Sequence, residues 1–81
     1  MKYTIHLFGI TRDIIGANTT EVELLNSGST VEQLLGKLKQ DFPKLQEIKS
    51  LVIAVNSEYA EQDLALSERD EIALIPPVSG G

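Results

Sequence analysis

The residues that point most clearly to a reaction in this 81-residue sequence are the last two, Gly80 and Gly81. Because glycine has no side chain, a Gly-Gly end can enter a channel too narrow for any other residue, and its carboxylate is open to attack. A carboxylate is a poor acyl donor, but adenylation gives it a good leaving group, and a sulfur nucleophile can then form a thiocarboxylate. The sequence therefore predicts a chain end suited to acyl activation, with Gly81 as the reacting residue.

The tail that carries these glycines begins at two prolines. Pro76 and Pro77 follow the last predicted strand, cannot donate to a strand ladder and favour an extended backbone. The six residues from Pro76 to Gly81 reach roughly 20 Å when extended. Chain ends are usually frayed, but a stiff root, this reach and the bare glycines indicate a tail that threads into a partner. The threading residues are Pro76, Pro77, Val78, Ser79 and Gly80.

Activation and sulfur delivery must come from other proteins. The chain has no cysteine, which excludes disulfides, thiolate metal sites and a cysteine nucleophile. It also has no glycine-rich phosphate loop, so we do not expect it to bind ATP by itself. We expect no cofactor on this chain, and ATP only on an activating enzyme.

The remaining polar residues predict no second site. His6 is the only histidine, and on an alternating strand such a residue is far more often a surface or packing residue than a catalyst. Metal binding and paired acid–base chemistry need acidic residues that converge. The acidic residues are instead scattered and expected to be solvated: Glu21, Glu23, Glu58, Glu61, Asp63, Glu68, Asp70 and Glu71.

The formal charge of −5 limits the partners. Phosphate binding needs clustered Lys and Arg, so the composition disfavours nucleic acid and anionic membranes as partners, and a basic protein surface is the natural complement. No stretch approaches the ~20 apolar residues of a membrane span. Residues 3–10 are too short and polar for a signal peptide, so we expect a cytoplasmic protein.

Four strands are predicted to position the tail. Residues 2–8 alternate between apolar and polar, residues 9–16 suit a short helical turn ended by glycine, and residues 19–25 alternate again. Residues 51–56 are apolar on both faces, which is typical of a central strand, and residues 71–75 form the last strand. The first two strands are expected to pair. A further short element is expected near Tyr59-Ala60.

One helix separates the two pairs of strands. Thr30 and Gln33 form a predicted capping box, and Pro43 ends the helix. Leu45 and Ile48 are expected to anchor the loop that follows. The apolar stripe of the helix is Val31, Leu34, Leu35 and Leu38. We predict one α+β domain over residues 1–81, in which the helix packs on one face of the sheet and residues 76–81 form the tail.

Apolar residues on the polar side of the strands predict a docking surface. Phe8 and Ile75 have the parity of the exposed face, and the first and last strands are often neighbours in such a sheet. Val52 and Ala54 have the parity to share that face. We expect a contiguous apolar patch with an acidic rim, suited to a basic partner.

Two stretches carry a resemblance to a known family. Residues 8–16, FGITRDIIG, and residues 70–81, DEIALIPPVSGG, resemble the small, MoaD-like sulfur-carrier subunit of molybdopterin synthases. This resemblance covers nearly the whole chain and implies a β-grasp, ubiquitin-like fold. By position, it also implies that Phe8, Tyr59 and Ile75 contact the large synthase subunit. This chain departs from the family where aromatic residues are common at Leu74-Ile75, and where an aliphatic residue is common at Tyr59.

The resemblance further implies a reaction cycle. An E1-like enzyme adenylates Gly81, and a sulfur-donor protein supplies the sulfur that makes it a thiocarboxylate. The tail then enters the large subunit and donates sulfur to cyclic pyranopterin monophosphate, which forms the dithiolene of molybdopterin. The family's synthase is a heterotetramer, and its small subunit is not catalytic alone.

Three other functions stay open at the level of the sequence. A thiamin-pathway sulfur carrier would use the same Gly-Gly chemistry, although such proteins are typically shorter and lack the PPVSGG ending. A ubiquitin-like modifier would join Gly81 to a lysine of a target protein. A purely structural interaction domain would not need Gly80-Gly81 at all.

Overall fold

The computed structural model describes residues 2–25 and 29–76. The predicted threading tail from Pro77 onward lies outside the described residues. Within these residues the chain forms five strands, two α-helices and one short 3-10 helix. In chain order they are β1 Lys2–Leu7, α1 Ile10–Ile15, β2 Thr19–Glu23, α2 Val31–Asp41, the 3-10 helix Pro43–Glu47, β3 Val52–Val55, β4 Glu58–Tyr59 and β5 Ile72–Ile75.

The strands form one mixed sheet in the order β2-β1-β5-β3-β4. β1 pairs antiparallel with β2 and parallel with β5, while β3 pairs antiparallel with β5 and β4. The predicted pairing of the first two strands and the predicted contact of first and last strands are confirmed. The strand expected to be central, β3, has a neighbour on each side, but β5 is the middle strand. Apolar residues on both faces indicate that a strand is buried on both sides, but they do not specify its position in the strand order.

The hydrophobic core lies between the sheet and α2. Tyr3, Ile5 and Leu7 of β1 alternate toward it and are almost fully buried. From α2 the core receives the predicted stripe, in which Leu35 is only partly buried. The buried cluster consists of Tyr3, Ile5, Leu7, Val22, Val31, Leu34, Leu38, Leu45, Ile53, Val55, Leu66, Ile72 and Leu74. A mixed sheet with one main helix on a single face confirms the predicted α+β, β-grasp fold.

The predicted capping box starts α2. The Thr30 hydroxyl accepts a hydrogen bond from the Gln33 backbone N–H at 3.3 Å, and the Gln33 side-chain oxygen accepts one from the Thr30 N–H at 2.8 Å. These two bonds satisfy backbone donors that a helix start leaves without partners. The segment after α2 was expected to be a loop. It is a 3-10 helix instead, because Pro43 is well placed at the start of a new helical turn, and it buries Leu45 in the core.

Candidate functional site

A shallow groove crosses the face of the sheet opposite α2. Four strands and the turn between β3 and β4 contribute to its wall. The lining residues are His6, Phe8, Ala54, Ser57, Tyr59, Glu71, Ala73 and Ile75. This groove joins residues from both ends of the chain, because β1 and β5 are neighbours in the sheet.

Strand register explains the floor of the groove. His6 on β1 faces Ala73 on β5, Ala73 faces Ala54 on β3, and Ala54 faces Tyr59 on β4. Residues that pair directly across strands share one face of a sheet. The two alanines in the middle of this row leave a depression between the larger side chains at its ends. Ile75 lies two residues further along β5 and therefore on the same face as Ala73.

Phe8 is held at one end of the groove by the turn into α1. Thr11 is fully buried; its hydroxyl donates to the Phe8 carbonyl at 2.6 Å and accepts from the Phe8 N–H at 3.1 Å. These two bonds fix the Phe8 backbone, while its ring stays 50% exposed. An exposed aromatic ring is typical of a binding residue, because it offers a large contact area and has only two side-chain torsions to fix on contact.

The opposite wall is built on an unusual turn. Asn56 and Ser57, between β3 and β4, have positive φ angles of 53° and 71°, which matches the tight turns that connect paired strands. Tyr59 follows on β4 and is 75% exposed. The turn is tied to the start of β5, where the Asn56 side chain bonds to Asp70 and to the Glu71 backbone.

Asn56 and Asp70 hold one wall of the groove in place, and neither residue was predicted to do so from the sequence. Their side chains stabilise the segments that carry Ser57, Tyr59 and Glu71 into the groove. The signal in the sequence was the asparagine at the end of an apolar strand, since Asn tolerates the left-handed conformation better than most residues. Its partner, in a turn far along the chain, could be identified only after folding.

The root of the tail lies beside the groove. Ile75 lines the groove, and the half-buried Pro76 follows it directly. Pro76 packs against the turn at Gly9, where an added Cβ would lie 3.2 Å from the proline Cγ. Gly9 also has a φ of 57°, a conformation that favours glycine. The predicted tail residues beyond it, Pro77, Val78, Ser79, Gly80 and Gly81, lie outside the described residues.

The structure brings together the three residues that were predicted to meet a partner. Phe8, Tyr59 and Ile75 line one groove. The predicted placement of Ala54 on the same face is also confirmed, and Val52 lies there because it faces Ile75. These contacts establish a contiguous surface, and its role as an interface stays a prediction.

The groove is apolar with acidic residues nearby. Among the described residues, its lining includes one carboxylate, Glu71, and no lysine or arginine. Glu21 and Glu23 lie on the same face beyond β1, because they alternate with the buried Val22.

In residues 2–25 and 29–76, no three His, Cys, Asp or Glu side chains converge as a metal site would require. No helix in this described part is long and apolar enough to cross a membrane.

Comparison with known proteins gives consistent matches. A model described as the ThiS family matches residues 5–81. The chain is 40% identical over 82 residues to the molybdopterin synthase sulfur carrier subunit of Arabidopsis thaliana, covering 100% of this chain and 84% of that protein. The region that the family model matches includes both the groove and the Gly-Gly end.

Two solved structures have the same fold. One is the putative molybdopterin converting factor, subunit 1, of Pyrococcus furiosus, with a TM-score of 0.85 and 28% identity over 96% of this chain and 99% of that chain. The other is the small archaeal modifier protein 1 of H. volcanii, with a TM-score of 0.82 and 26% identity over 95% and 98%. Proteins described as a converting-factor subunit and as a modifier therefore share this architecture.

Proposed function

The chain belongs to the ThiS family, and on that premise we propose that it is the sulfur carrier subunit of a molybdopterin synthase, with Gly81 as the sulfur-bearing residue. One observation supports the proposal most strongly. The exposed apolar groove adjoins Pro76, so a partner seated on Phe8 and Ile75 would lie beside the point where the tail begins. The relative from Arabidopsis thaliana has this function in its name.

The proposed chemistry uses only the terminal carboxylate of this chain. An E1-like enzyme transfers AMP from ATP to the Gly81 carboxylate and releases pyrophosphate. A sulfide equivalent from a sulfur-donor protein then displaces AMP and leaves a thiocarboxylate. In the synthase, that sulfur passes to cyclic pyranopterin monophosphate, and an oxygen from water restores the carboxylate. Two sulfurs form one dithiolene, so two charged carriers serve each product.

In this proposal the large synthase subunit docks on the groove. Phe8 and Tyr59 provide exposed aromatic surface at its two ends, and Ile75 connects that surface to the tail. Aromatic residues are enriched at protein–protein interfaces, and tyrosine is common among the few side chains that dominate binding energy. The apolar centre with Glu71 at its border suits a partner that is apolar in the middle and basic at its rim. The assembled synthase would be a heterotetramer with two copies of this chain.

The test follows the sulfur atom. The chain is prepared with a C-terminal thiocarboxylate and mixed with its large subunit and cyclic pyranopterin monophosphate, and the carboxylate form serves as the matched control. We expect the intact mass to show sulfur replaced by oxygen as dithiolene product appears, with no product from the control. Sulfur that stays on the chain while a demonstrably folded partner is bound would rule out the donor role.

A second candidate function is protein modification. It is favoured by the likeness to the small archaeal modifier protein 1. Both functions begin with an adenylate on Gly81 and differ in its fate, which is sulfur in one case and an isopeptide bond to lysine in the other. Incubation with the activating enzyme, followed by a search for Gly-Gly adducts on lysines, separates them. A thiamin-pathway carrier would instead pass its sulfur to a different acceptor and give no dithiolene.

A further inference from the structure

The turn between β1 and α1 brings the groove and the start of the tail together. Phe8, which lines the groove, and Gly9, which packs against Pro76, are consecutive residues of this turn. On the neighbouring strand, Ile75 lines the groove and Pro76 follows it directly. The position of Pro76 relative to the Phe8 ring therefore depends on how this one turn is held.

The pairing of β1 with β5 ends just before these residues. The last residues that pair between the two strands are Leu7 and Leu74. Pro76 has no backbone N–H, so it cannot add a donor that would extend the ladder. Contacts other than strand pairing must therefore hold Phe8 and Pro76 in place.

Thr11 supplies such contacts on the β1 side. It is fully buried, and its hydroxyl accepts from the Phe8 N–H at 3.1 Å and donates to the Phe8 carbonyl at 2.6 Å. The Thr11 N–H also donates to that carbonyl at 3.2 Å, and the Arg12 N–H donates to the Gly9 carbonyl at 3.1 Å. One side chain thus binds both backbone groups of Phe8, next to the glycine on which Pro76 packs.

We propose that Thr11 is a positioning residue for sulfur transfer, because it holds the turn that places Phe8 and Pro76 next to each other. This inference rests on the proposed function, in which a partner binds the groove and receives the tail. A binding surface that is already ordered loses less entropy when it docks. An extended tail reaches roughly 20 Å from Pro76, so a small change of direction there displaces the reacting end by several ångström. A displacement of that size slows a reaction steeply.

Thr11→Val removes the hydroxyl and keeps nearly the same shape. The Phe8 N–H then loses its acceptor, while the backbone N–H at position 11 can still donate to the Phe8 carbonyl at the start of α1. We expect the affinity for the large subunit to fall about fivefold. The rate of sulfur transfer from the bound thiocarboxylate chain should fall about tenfold.

Two further variants serve as controls. Thr11→Ser keeps the hydroxyl and should recover most of both losses. Thr30→Ala weakens the cap of α2, away from the groove, and so lowers stability without changing the turn. It should bind the large subunit and transfer sulfur like wild type.

NMR of the free protein measures the positioning without any partner. Wild type should show a nuclear Overhauser contact between the Gly9 Hα and the ring protons of Pro76. In Thr11→Val this contact should weaken, and hydrogen exchange of the Phe8 amide should accelerate about tenfold or more. Thr11→Ser should resemble wild type in both.

Calorimetric titration and single-turnover sulfur transfer at saturating large subunit then separate binding from transfer. A double-mutant cycle with Phe8→Ala shows whether Thr11 acts on binding through the ring. When the ring is already absent, Thr11→Val should cost little further affinity. Strictly additive losses in the cycle would contradict this route.

The outcomes separate this inference from the proposed function. If wild type lacks the contact between Gly9 and Pro76, or if Thr11→Val binds and transfers sulfur like wild type, the role of Thr11 is refuted while the carrier function stands. Equal losses in Thr11→Ser, or in Thr30→Ala, would show that general stability matters rather than the hydroxyl. A Thr11→Val chain that is unfolded in the assay would also refute a positioning role, because Thr11 would then be needed for the fold itself. If wild type transfers no sulfur on the folded large subunit, the proposed function fails, and the NMR comparison still decides whether Thr11 places Pro76.

Discussion

Asn56 and Asp70 are 14 residues apart in the chain, and the Asn56 side-chain N–H donates to the Asp70 carboxylate at 3.1 Å. The second Asp70 oxygen accepts from the Ser67 backbone N–H at 2.8 Å, and the Asn56 side-chain oxygen accepts from the Glu71 N–H at 3.0 Å. This clamp, formed by Asn56 and Asp70, joins the β3–β4 turn to the start of β5. It holds Ser57 and Glu71 on the same side of the groove.

The clamp predicts an exchange experiment. Asn56→Asp places two carboxylates together. Asp70→Asn leaves the Asn56 side-chain N–H and the Ser67 N–H competing for one remaining oxygen. Each variant should lower the free energy of unfolding by about 1 to 2 kcal/mol. The double exchange restores every donor–acceptor pair, because the carboxylate then at position 56 accepts from the Glu71 N–H and from the side-chain amide then at position 70. Urea unfolding of all four proteins measures the cycle. Strictly additive losses in the double variant would contradict the clamp.

The aromatic end of the groove predicts a large effect on binding. Phe8→Ala should weaken the complex with the large subunit by roughly 2 kcal/mol, or about 30-fold, because the exposed ring would be buried in the proposed interface. Leu25→Ala is the matched control. Leu25 is even more exposed, at 96% against 50%, but lies beside Gln33 and Lys37 of α2 rather than in the groove.

Biosensor titration compares the two variants. Since Phe8 is half exposed, its truncation should change the unfolding midpoint little, so a loss of affinity reports the interface. Equal affinities for Phe8→Ala and Leu25→Ala would show that the partner binds elsewhere. Ile75→Ala should resemble Phe8→Ala, because both residues line the groove.

The capping box predicts a local change in stability. Thr30→Ala removes the hydroxyl that accepts from the Gln33 N–H and should lower the free energy of unfolding by about 1 kcal/mol. Thr30→Ser keeps that hydroxyl and should recover most of the difference. Chemical denaturation with both variants checks this expectation. A loss of the same size in Thr30→Ser would mean that the methyl group, and not the cap, provides the stability.

Removal of Gly80 and Gly81 should abolish the proposed function and leave the fold intact. The buried core cluster is formed by residues between Tyr3 and Leu74, so the shortened chain should unfold at the wild-type midpoint. Without the terminal glycine, the chain should not become adenylated or accept sulfur. Intact mass after incubation with the activating enzyme, ATP and a sulfur donor measures both steps. A shortened chain that still carries sulfur would disprove the assignment of Gly81.

Local features of the structure follow directly from the sequence. The capping box at Thr30, the strand alternation around Ile5 and the helix end at Gly16 depend on residues a few positions apart. Each is governed by short-range hydrogen bonding or by backbone sterics, and these forces act before any tertiary contact forms. The proposed reactivity of Gly80-Gly81 was likewise inferred from residue type alone, because it depends on the absence of side chains.

Only the tertiary structure decided which strands and side chains from distant parts of the sequence became neighbours. Apolar parity placed Phe8 and Ile75 on exposed faces, but the parallel pairing of β1 with β5 brought them into one groove. The same pairing placed β5 in the middle of the sheet and set His6 opposite Ala73. Strand order and long-range pairs such as Asn56 with Asp70 depend on how the whole chain buries its apolar surface at the lowest cost in loop entropy. The sequence by itself therefore determined most of the elements and the Gly-Gly end that is proposed to react, and folding determined the groove beside Pro76, where the tail begins.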